Sequence, residues 1–536
     1  MKSKPTRFDP FVRAIAWIVL GAALLAVIWA RFRLAGLPLE RDEGEYAYTG
    51  QLILRGIAPY KLAYSMKFPG TSAVYALLIS IFGESSNGIH LGLIAANLIT
   101  VALIFFLGRD LLGEIGGIAA ATAYSVLSLM PHVLGQAAHA THFVMVFATA
   151  GALVLLRAVD RNSQKTLFTS GCLFGLAILM KQPGVLFGLF GLLFLLTSDW
   201  RARFNTNTIV SQSAAFVMGT VLVCLVAAIA LWIGGVFGKF WFWAVQYAAQ
   251  YGTRVSLADA IHLFRGHIFG VIGTAWPIWL VAGAGFVLMI ARRSILPHVG
   301  FLLAFTFFSA LAVCPGFYFR PHYFILFLPA VSLLAGAAVT VTLQFLRRGR
   351  ALVSCAIMLL FGLVAAFPLW HEADFFFERP LSEANLMVNG TNPFPESVKI
   401  GEYVREHSDP NDTIAVLGSE PQIYFYSRRQ SATGYIYTYG LMEPQPYARQ
   451  MQQEMIHEIE AARPKFMILV VIDTSWLIGP DSDQTIFRWA DRFCNADYEP
   501  VGLINITEHG TDYFFSGRLA NITPASSHIL LYRRKT

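Results

Sequence analysis

Long apolar runs, separated by short polar segments, fill most of the first 370 residues of the chain. A membrane-spanning helix needs about 20 mainly apolar residues, and about 17 is the lower limit. By this measure the pattern predicts about eleven spans, of which the two on either side of Lys181 are short. The predicted spans lie near residues 14–34, 88–107, 114–130, 141–158, 166–180, 184–198, 209–234, 267–291, 296–314, 321–345 and 351–370.

The apolar run after Pro69, GTSAVYALLISIFG, is too short to belong to this series. As a helix its roughly 15 residues extend over about 22 Å, whereas the hydrocarbon core of a membrane is about 30 Å thick. This run is therefore predicted to lie in the membrane interface or to re-enter the membrane without crossing it.

The basic residues fit a topology in which the N-terminus lies in the cytoplasm. An even alternation of spans then brings most basic loops to the cytoplasmic side, as the positive-inside bias predicts. These are the loops at 109, 157–165, 201–203, 292–293 and 347–350. Arg31 and Arg33, at the outer end of the first span, count mildly against the scheme. The long apolar run behind a basic N-terminus predicts an uncleaved first span.

The chain becomes polar after Trp370, and strand and helix signals then alternate. ESVKIGEYVREHS has helical periodicity, while DTIAVLG, KFMILVVID and SHILLYRR are typical of strands. The prediction is an α-helical polytopic membrane domain with juxtamembrane helices over 1–370, followed by a soluble α/β domain over 371–536. The number of spans places the soluble domain outside the cytoplasm.

The composition supports a membrane protein and excludes other classes. Hydrophobic residues make up 56% of the chain and charged residues 14%, against about 25% charged in soluble domains. The net charge of +7 resides largely in short loops between spans, and no nucleic-acid-binding motif is present, so nucleic acid is excluded as a partner. The five cysteines show no zinc or disulfide spacing.

Candidate chemistry lies in polar segments that this topology places on the outer face. Two close carboxylates raise the pKa of at least one of them, which suits a general base. Lysine and arginine at the membrane boundary suit a lipid phosphate. The first outer loop, from about Ala35 to Thr71, holds Asp42, Glu43, Glu45, Tyr46, Arg55, Tyr60 and Lys67. The other segments hold His132, His139 and His142; Lys181; Arg320, His322 and Tyr323; and Tyr247 and Tyr251.

A reaction follows from the side of the membrane on which these residues lie. The chain shows no nucleotide-binding loop, so a sugar transferred there must arrive already activated on a lipid phosphate. A carboxylate would deprotonate an acceptor hydroxyl, the hydroxyl oxygen would attack the anomeric carbon, and basic residues would stabilise the departing phosphate. Direct attack implies inversion at that carbon.

Simpler interpretations of the same residues stand beside this one. Acidic residues after a span often form only a solvated turn, and Lys181 between apolar runs is more often a snorkelling residue than a ligand. Histidines at the interface are more often polar anchors, and His139 and His142 at i, i+3 are a weak metal signal. From these residues alone, the sequence indicates an outward-facing polar site on a helical membrane protein.

Four segments resemble a known family. RDEGEYAYTGQLILRGIAPY resembles the first outer loop of polyprenyl-phosphate-dependent glycosyltransferases of the GT-C class, which include protein O-mannosyltransferases and the aminoarabinose transferase of lipid A. The shared features are an Asp-Glu pair, a tyrosine soon after it, and a Gly-x-x-Pro-Tyr end. MKFPGTSAVYALL, GLAILMKQPGVL and RPHYFILFLPAVSLLAG are similar to later segments of the family, in the same order.

The resemblance implies roles for particular residues. Asp42 would be the general base, and Glu43 would orient the site or bind a metal. The donor phosphate would be held by Lys181 and Arg320, with Lys67. Substrate contacts are expected from Tyr46, Tyr60, His322, Tyr323 and Tyr247.

One departure from the family pattern concerns the second outer loop. Many members carry an acidic residue there, whereas HATHF places His142 at that position. This leaves open a metal-independent enzyme, a histidine ligand or a different acceptor. The cofactor prediction is therefore none, or a divalent metal ion with His139, His142 and Glu43 as candidate metal or acceptor contacts.

The soluble domain contains VLGSEPQIYFYSRRQSATGY, which resembles the outer domain of some bacterial members. Glu420, Tyr424 and Arg428 are either acceptor-side contacts or internal contacts of the domain, and the second reading is favoured. The predicted partners are a polyprenyl-phosphate sugar, membrane lipids and an acceptor that is a lipid, a glycan or a protein, in the inner (plasma) membrane. A secondary transporter and a non-catalytic protein that binds lipid-linked sugar are the alternative functions. A transporter predicts inverted repeats and mid-span charges, which the sequence does not show.

Overall fold

The computed structural model describes residues 9–197, 206–291, 298–346, 351–507, 510–515 and 519–535. Three of the basic loops used to predict the topology, at 201–203, 292–293 and 347–350, lie outside the described residues, as does most of the basic N-terminus. The orientation of the chain in the membrane therefore stays a prediction from the sequence.

The first part of the chain is a bundle of apolar helices, which confirms the predicted polytopic fold. By length and composition, seven of the described helical segments are able to cross a membrane. They are α1 (Pro10–Leu34), α4 (Ser86–Leu112), α6 (Ala140–Arg161), α9 (Thr206–Ile233), α12 with α13 (Leu257–Ile272 and Trp276–Ala291), α15 (Leu328–Phe345) and α16 (Ala351–His371). Shorter apolar helices are α3 (Gly70–Phe82), α5 (Glu114–Leu127), α7 (Gln164–Met180), α8 (Gly184–Thr197) and α14 (Val299–Leu311).

One membrane helix begins later than the sequence pattern predicts. The span predicted to begin at residue 321 starts instead with a 3₁₀ turn, Pro321–Leu326, and α15 begins only at Leu328. The cause is the pair of prolines, because proline has no N–H to donate and is favoured in the first turn of a helix. Pro321 and Pro329 each occupy such a first turn.

The acidic stretch after α1 is a helix rather than the predicted loop. α2 spans Arg41–Leu54, and Glu40 caps it. The Glu40 carboxylate accepts a hydrogen bond of 2.9 Å from the Glu43 N–H, and the Glu43 carboxylate accepts one of 3.2 Å from the Glu40 N–H. This reciprocal capping box satisfies two N–H groups, and the helix dipole stabilises the carboxylates of the first turn. The close spacing of acidic residues thus has a structural reason in addition to any chemistry.

The segment between α9 and α12 forms a short irregular helix. It consists of α10 (Phe237–Phe240), a π-helical turn (Trp241–Tyr247) and α11 (Ala248–Gly252). π-Helical turns are rare and occur frequently at functional sites. This one directs Trp243 and Tyr247 toward the soluble part of the chain, where both belong to an apolar cluster with soluble-domain residues.

The chain after α16 builds a mixed six-stranded sheet flanked by helices, with strand order β2-β1-β3-β6-β4-β5. β1 pairs in parallel with β2 and β3, and the other pairs are antiparallel. The strands are β1 (Thr413–Leu417), β2 (Gln430–Ser431), β3 (Phe466–Val471), β4 (Tyr498–Thr507), β5 (Gly510–Phe515) and β6 (Ser527–Arg534). The helices are α17 (Leu381–Asn389), α18 (Phe394–Glu406), α19 (Gln422–Ser427), α20 (Tyr439–Met442), α21 (Ala448–Ala462), α22 (Asp473–Trp476) and α23 (Thr485–Asp497).

The three predicted strands are confirmed as β1, β3 and β6, and the predicted helix ESVKIGEYVREHS as α18. β4 escaped prediction because it contains Pro500 and Gly502, which weaken a strand signal. The register of its pairing with β6 shifts between these two residues.

The soluble domain packs directly on α2. A Cβ atom on Gly44 would lie 2.6 Å from the backbone N of Gln422 in α19, so the two helices approach as closely as a glycine permits. Nearby, Gln51 Nε2 donates a hydrogen bond of 2.9 Å to the carbonyl of Phe425. α2 therefore lies between the membrane helices and the sheet domain and contacts both.

Candidate active site

A cavity of about 250 Å³ lies where α2, the π-helical turn and the soluble domain meet. The helical period explains which acidic residues reach it. Residues three apart share one face of a helix, whereas adjacent residues are separated by about 100°. Asp42 and Glu45 accordingly face the cavity together, and Glu43 does not. Its other charged and histidine lining residues from the membrane part are Lys67, Lys181, Arg320 and His322.

Asp42 is held by two donors on one of its oxygens. Oδ1 accepts hydrogen bonds from Lys67 Nζ at 2.7 Å and from the Tyr437 hydroxyl at 3.1 Å. Burial by itself would raise the pKa of Asp42, but the charge of Lys67, followed by His322 and His139, holds that pKa well below its usual range. Asp42 is therefore ionised at neutral pH.

The prediction that crowding raises a carboxyl pKa is met at Glu40 and not at Asp42. Burial raises the pKa of Glu40 well above its usual value, and the charges of Asp42 and Glu43 raise it further. The difference arises because Asp42 has Lys67 as an ion-pair partner. For Glu40, hydrogen bonds from the Asp42 and Glu43 backbone lower the pKa but do not offset burial and the neighbouring negative charges.

Lys181 and Arg320 supply positive charge to the cavity wall. The Lys181 ammonium lies 4.2 Å from the centre of the Tyr323 ring, and Arg320 donates a 3.3 Å hydrogen bond to the Tyr251 hydroxyl. Neither forms an ion pair with a carboxylate in the described part of the chain. Burial lowers the pKa of Lys181 to about 7, and the charges of Lys67 and Arg320 add to that effect.

The tyrosines that were predicted to contact substrate occupy two kinds of position, in the cavity wall or behind Lys67. Tyr323 and Tyr247 line it, whereas the Tyr46 ring lies beneath Lys67, with its centre 4.5 Å from Nζ. Tyr60 is buried outside the cavity, and its hydroxyl donates a 2.6 Å hydrogen bond to the Lys67 carbonyl. Tyr46 and Tyr60 are thus placed to hold Lys67.

Glu43 points away from the cavity, into the protein. One of its oxygens lies 3.0 Å from His90 Nε2 and accepts a 2.6 Å hydrogen bond from the Ala138 N–H. Burial would raise the Glu43 pKa, but the charge and hydrogen bond of His90, together with the Ala138 N–H and the charge of His139, lower that pKa. Glu43 ties α2 to α4 and to the segment before α6, so the geometry gives it an orienting position.

Three residues from distant parts of the sequence form a cluster of potential metal ligands. Atoms of Asp42, His139 and His322 lie within 4.8 Å of one another. The rings of His139 and His322 stack with centres 4.1 Å apart, and neither His139 nitrogen has a hydrogen-bond partner among the described residues. Burial lowers the pKa of His139 to about 4 and that of His322 well below its usual value, so both imidazoles are neutral at pH 7. His142, also buried, lies outside this cluster.

Neutral imidazole and carboxylate are ligands of zinc and of other first-row divalent metals. The donor types therefore fit such an ion, and the unpartnered nitrogens of His139 are a second observation in its favour. Asp42 Oδ2 is 3.9 Å from His139 Nδ1, and Oδ1 is the oxygen bound to Lys67. One carboxylate oxygen thus remains directed toward the histidines.

The soluble domain supplies a wall that the sequence did not predict. Tyr435, Tyr437, Tyr439 and Glu443 line the cavity. The only sequence signal is the alternation of tyrosines in YIYTYG, since residues two apart in an extended segment point to the same side.

The three residues proposed from the tail segment are engaged elsewhere. Glu420 forms an ion pair of 2.6 Å with Arg41, and the Tyr424 hydroxyl accepts a 2.8 Å hydrogen bond from the Val416 N–H. Arg428 pairs with Glu84 at 2.7 Å. None of the three lines the cavity that contains Asp42.

Comparison with solved structures identifies proteins of similar fold. The solved structure of ArnT from Cupriavidus metallidurans bound to undecaprenyl phosphate matches with a TM-score of 0.59 and 14% identity, covering 96% of this chain and 98% of that chain. The chain has the GT-C glycosyltransferase fold. The GT-C fold is also found in the Archaeoglobus fulgidus oligosaccharyltransferase, whose apo structure matches with a TM-score of 0.53 and 13% identity over 96% of this chain and 75% of that chain.

Sequence comparison agrees with the GT-C fold. Residues 67–232 match the family model described as dolichyl-phosphate-mannose-protein mannosyltransferase. No curated protein matches the chain by sequence. The family model and the fold together confirm the resemblance to GT-C glycosyltransferases that was predicted from the four outer segments.

Proposed function

We propose that the protein is an integral membrane glycosyltransferase that moves a sugar from a polyprenyl-phosphate donor to an acceptor hydroxyl, with inversion. The observation that carries the proposal is the presence of Lys181 and Arg320, without carboxylate partners among the described residues, in the same cavity as ionised Asp42. Buried charge is costly unless it is paired. A phosphate monoester or diester is an anion that would pair with both cations.

The relatives support a lipid phosphate as that anion. The ArnT structure contains undecaprenyl phosphate. A second structure of the Archaeoglobus fulgidus enzyme contains a dolichol phosphate, and it matches with a TM-score of 0.51 at 13% identity. The matched family model is named for a mannose donor on dolichyl phosphate. Each of these ligands is a phosphate on a polyprenyl chain, which agrees with cations at the end of membrane helices.

The proposed step uses Asp42 as base. The acceptor hydroxyl gives its proton to Asp42, its oxygen forms a bond to the anomeric carbon, and the bond from that carbon to the donor phosphate oxygen breaks. The lipid phosphate leaves with the electron pair, and Lys181 and Arg320 stabilise its added charge. Because the pKa of Asp42 is low, it receives the proton efficiently only when the hydroxyl has become acidic in a transition state with oxocarbenium character.

The candidate metal ligands include Asp42, the proposed base. We propose that Asp42, His139 and His322 hold a divalent metal ion, with neutral imidazoles and one carboxylate oxygen as ligands. Such an ion would act as a Lewis acid toward a phosphate or hydroxyl oxygen. A structure of the Archaeoglobus fulgidus enzyme in complex with Zn and sulfate has the same fold at 14% identity and a TM-score of 0.54.

The domain division and orientation remain proposals that fit this function. We place the catalytic membrane domain at 1–370 and the soluble domain at 371–536. The protein would lie in the inner (plasma) membrane with its N-terminus in the cytoplasm and its soluble domain outside. That orientation gives the cavity access to acceptors beyond the membrane, which are lipids, glycans or proteins.

The test compares the polyprenyl-phosphate sugars of cells that express the wild type or Asp42→Asn, by mass spectrometry. One species should accumulate only with the variant, and its mass identifies the sugar class of the donor. Asp374→Asn is the matched control, because Asp374 lies outside the cavity and pairs with Arg379. Identical donor profiles at equal expression and folding would overturn the proposal and favour a transporter or a binding protein.

A further inference from the structure

The soluble domain contributes one segment directly to the wall of the cavity. We call residues 435–443, with the sequence YIYTYGLME, the tyrosine strap. Its residues Tyr435, Tyr437, Tyr439 and Glu443 line the same cavity as Asp42, Lys181 and Arg320. Tyr437 is the member that reaches the carboxylate, with its hydroxyl 3.1 Å from Asp42 Oδ1.

We infer that Tyr437 is a positioning residue for Asp42, so that the soluble domain completes the catalytic site. The inference rests on the proposed transfer reaction. Tyr437 and Lys67 both donate to Oδ1, which leaves Oδ2 as the oxygen available to an acceptor hydroxyl or a metal ion. Two donors on one oxygen restrict rotation of the carboxylate and determine which oxygen takes part in the reaction.

The strap is fixed before any substrate binds. The Tyr435 hydroxyl donates a 2.8 Å hydrogen bond to Glu454 Oε2. The Thr438 hydroxyl donates a 3.2 Å hydrogen bond to the Ser475 carbonyl, and the Tyr439 hydroxyl donates one of 2.8 Å to the Thr474 carbonyl. These hydrogen bonds lie on both sides of Tyr437 in the sequence and hold its hydroxyl in one position over α2.

The strap is also joined to the membrane part by the main chain. The Tyr64 N–H donates a 2.7 Å hydrogen bond to the Gly434 carbonyl, which immediately precedes the strap. A Cβ atom on Gly434 would overlap the Tyr64 ring. Tyr64 in turn stacks on Trp243 of the π-helical turn, with ring centres 5.5 Å apart. These contacts fix the distance between the soluble domain and the segment that carries Lys67.

The chemistry of the tyrosine suits a donor rather than a base. Burial raises the pKa of Tyr437 well above its usual value, and the negative charge of Asp42 raises it further. The phenol therefore keeps its proton and donates a hydrogen bond to the Asp42 carboxylate. Phenylalanine at this position removes the hydrogen bond and keeps the ring.

The experiment uses membranes from cells that express Asp42→Asn, which hold the accumulated donor together with unmodified acceptor. Full-length purified wild type, Tyr437→Phe or Tyr426→Phe is added, and donor consumption is followed by mass spectrometry as a function of donor level. Tyr426→Phe is the matched control. The Tyr426 hydroxyl also joins the soluble domain to the membrane part, accepting a 2.9 Å hydrogen bond from the Leu39 N–H, but Tyr426 lies outside the cavity that contains Asp42.

Tyr437→Phe should lower kcat about tenfold, because a hydrogen bond to a charged group contributes about that factor. The donor KM should change by no more than about twofold. Tyr426→Phe should change neither quantity.

Two results would overturn the inference. One is a Tyr437→Phe enzyme with the kcat of the wild type. The other is an equal loss in both tyrosine variants, which indicates a structural role alone. If Tyr437→Phe fails to fold, Tyr437→His and Tyr437→Ala are compared instead. The histidine variant retains a donor and should keep the higher kcat, and equal impairment overturns the inference. Failure of the proposed function is distinguishable, because the wild type then consumes no donor.

Discussion

Lys67 stands between Asp42 and Glu45, with its ammonium nitrogen 2.7 Å from a carboxylate oxygen of each. The two carboxylates share one face of α2, and Lys67 reaches them from the segment that follows that helix. The lysine neutralises part of the charge that α2 brings to the cavity, and it keeps Asp42 ionised. A cation that the sequence suggests for the donor phosphate is therefore engaged, in this structure, with the proposed base.

Replacement of Lys67 by methionine should raise the pKa of Asp42, because burial then acts without its strongest opposing charge. Asp42 would be protonated at a higher pH, so the fall in activity on acidification should begin at a higher pH than in the wild type. We expect a decrease of at least about tenfold in kcat near neutral pH. The measurement is donor consumption against pH, with Lys61→Met as control, because Lys61 is exposed on the same segment. An unchanged acid limb in Lys67→Met would contradict this assignment.

Lys181 should make donor binding depend on pH. Its pKa of about 7, lowered by burial, means that the ammonium is charged below that value and neutral above it. A donor phosphate binds the charged form, so the donor KM should rise about tenfold per pH unit above pH 7, until the neutral form dominates binding. Lys181→Arg retains its charge and should remove this basic limb. A wild-type KM that stays constant between about pH 6 and pH 9 would refute the prediction.

The cluster of Asp42, His139 and His322 gives a prediction about metal content. Purified protein that is equilibrated with Zn²⁺ or Mn²⁺ and then desalted should retain about one ion per chain, measured by inductively coupled plasma mass spectrometry. His139→Ala and His322→Ala should each lose most of it. His132→Ala is the control, because His132 lies near Glu372 and outside the cluster. Equal metal content in all variants would show that the ion binds elsewhere.

The buried pair of Arg41 and Glu420 predicts a strong effect on stability. Arg41 joins α2 to the soluble domain, and Arg41→Met would leave the fully buried Glu420 carboxylate without its partner. The loss of one partner from a buried pair costs about 3–5 kcal/mol, so the midpoint of denaturant unfolding should fall clearly. Arg41→Met combined with Glu420→Gln should recover part of the loss.

The control for that comparison is Arg379→Met, which breaks an ion pair whose arginine side chain is 35% exposed and whose Asp374 side chain is 58% exposed. An exposed pair contributes about 0–1 kcal/mol. If both single variants unfold at the same midpoint, Arg41 does not join the two parts of the chain energetically.

The sequence was informative where one local pattern decides the outcome. The apolar runs predicted the helices of the membrane part, and DTIAVLG and KFMILVVID predicted β1 and β3, because burial on both faces of a strand leaves a continuous apolar run. The acidic motif predicted a polar outer site. Its helical state was missed because the signal is a cap formed by Glu40, which is a rare capping residue.

The residues of the site were harder to predict where they depend on tertiary structure. Adjacent Asp42 and Glu43 look equivalent in the sequence, but the helix turns them to different sides. Tyr437 lies 395 positions from Asp42, and only the packing of the soluble domain on α2 brings the two together. A single sequence contains no signal for such a pairing.

The approach of Gly44 to the backbone of Gln422 has a consequence for protein engineering. With no room for a side chain between them, the two surfaces are matched to each other. A hybrid enzyme that takes its soluble domain from a homologue would have to take α2 from the same parent. The natural unit of exchange in this protein is therefore discontinuous in the chain, combining residues 41–54 with the region after residue 371.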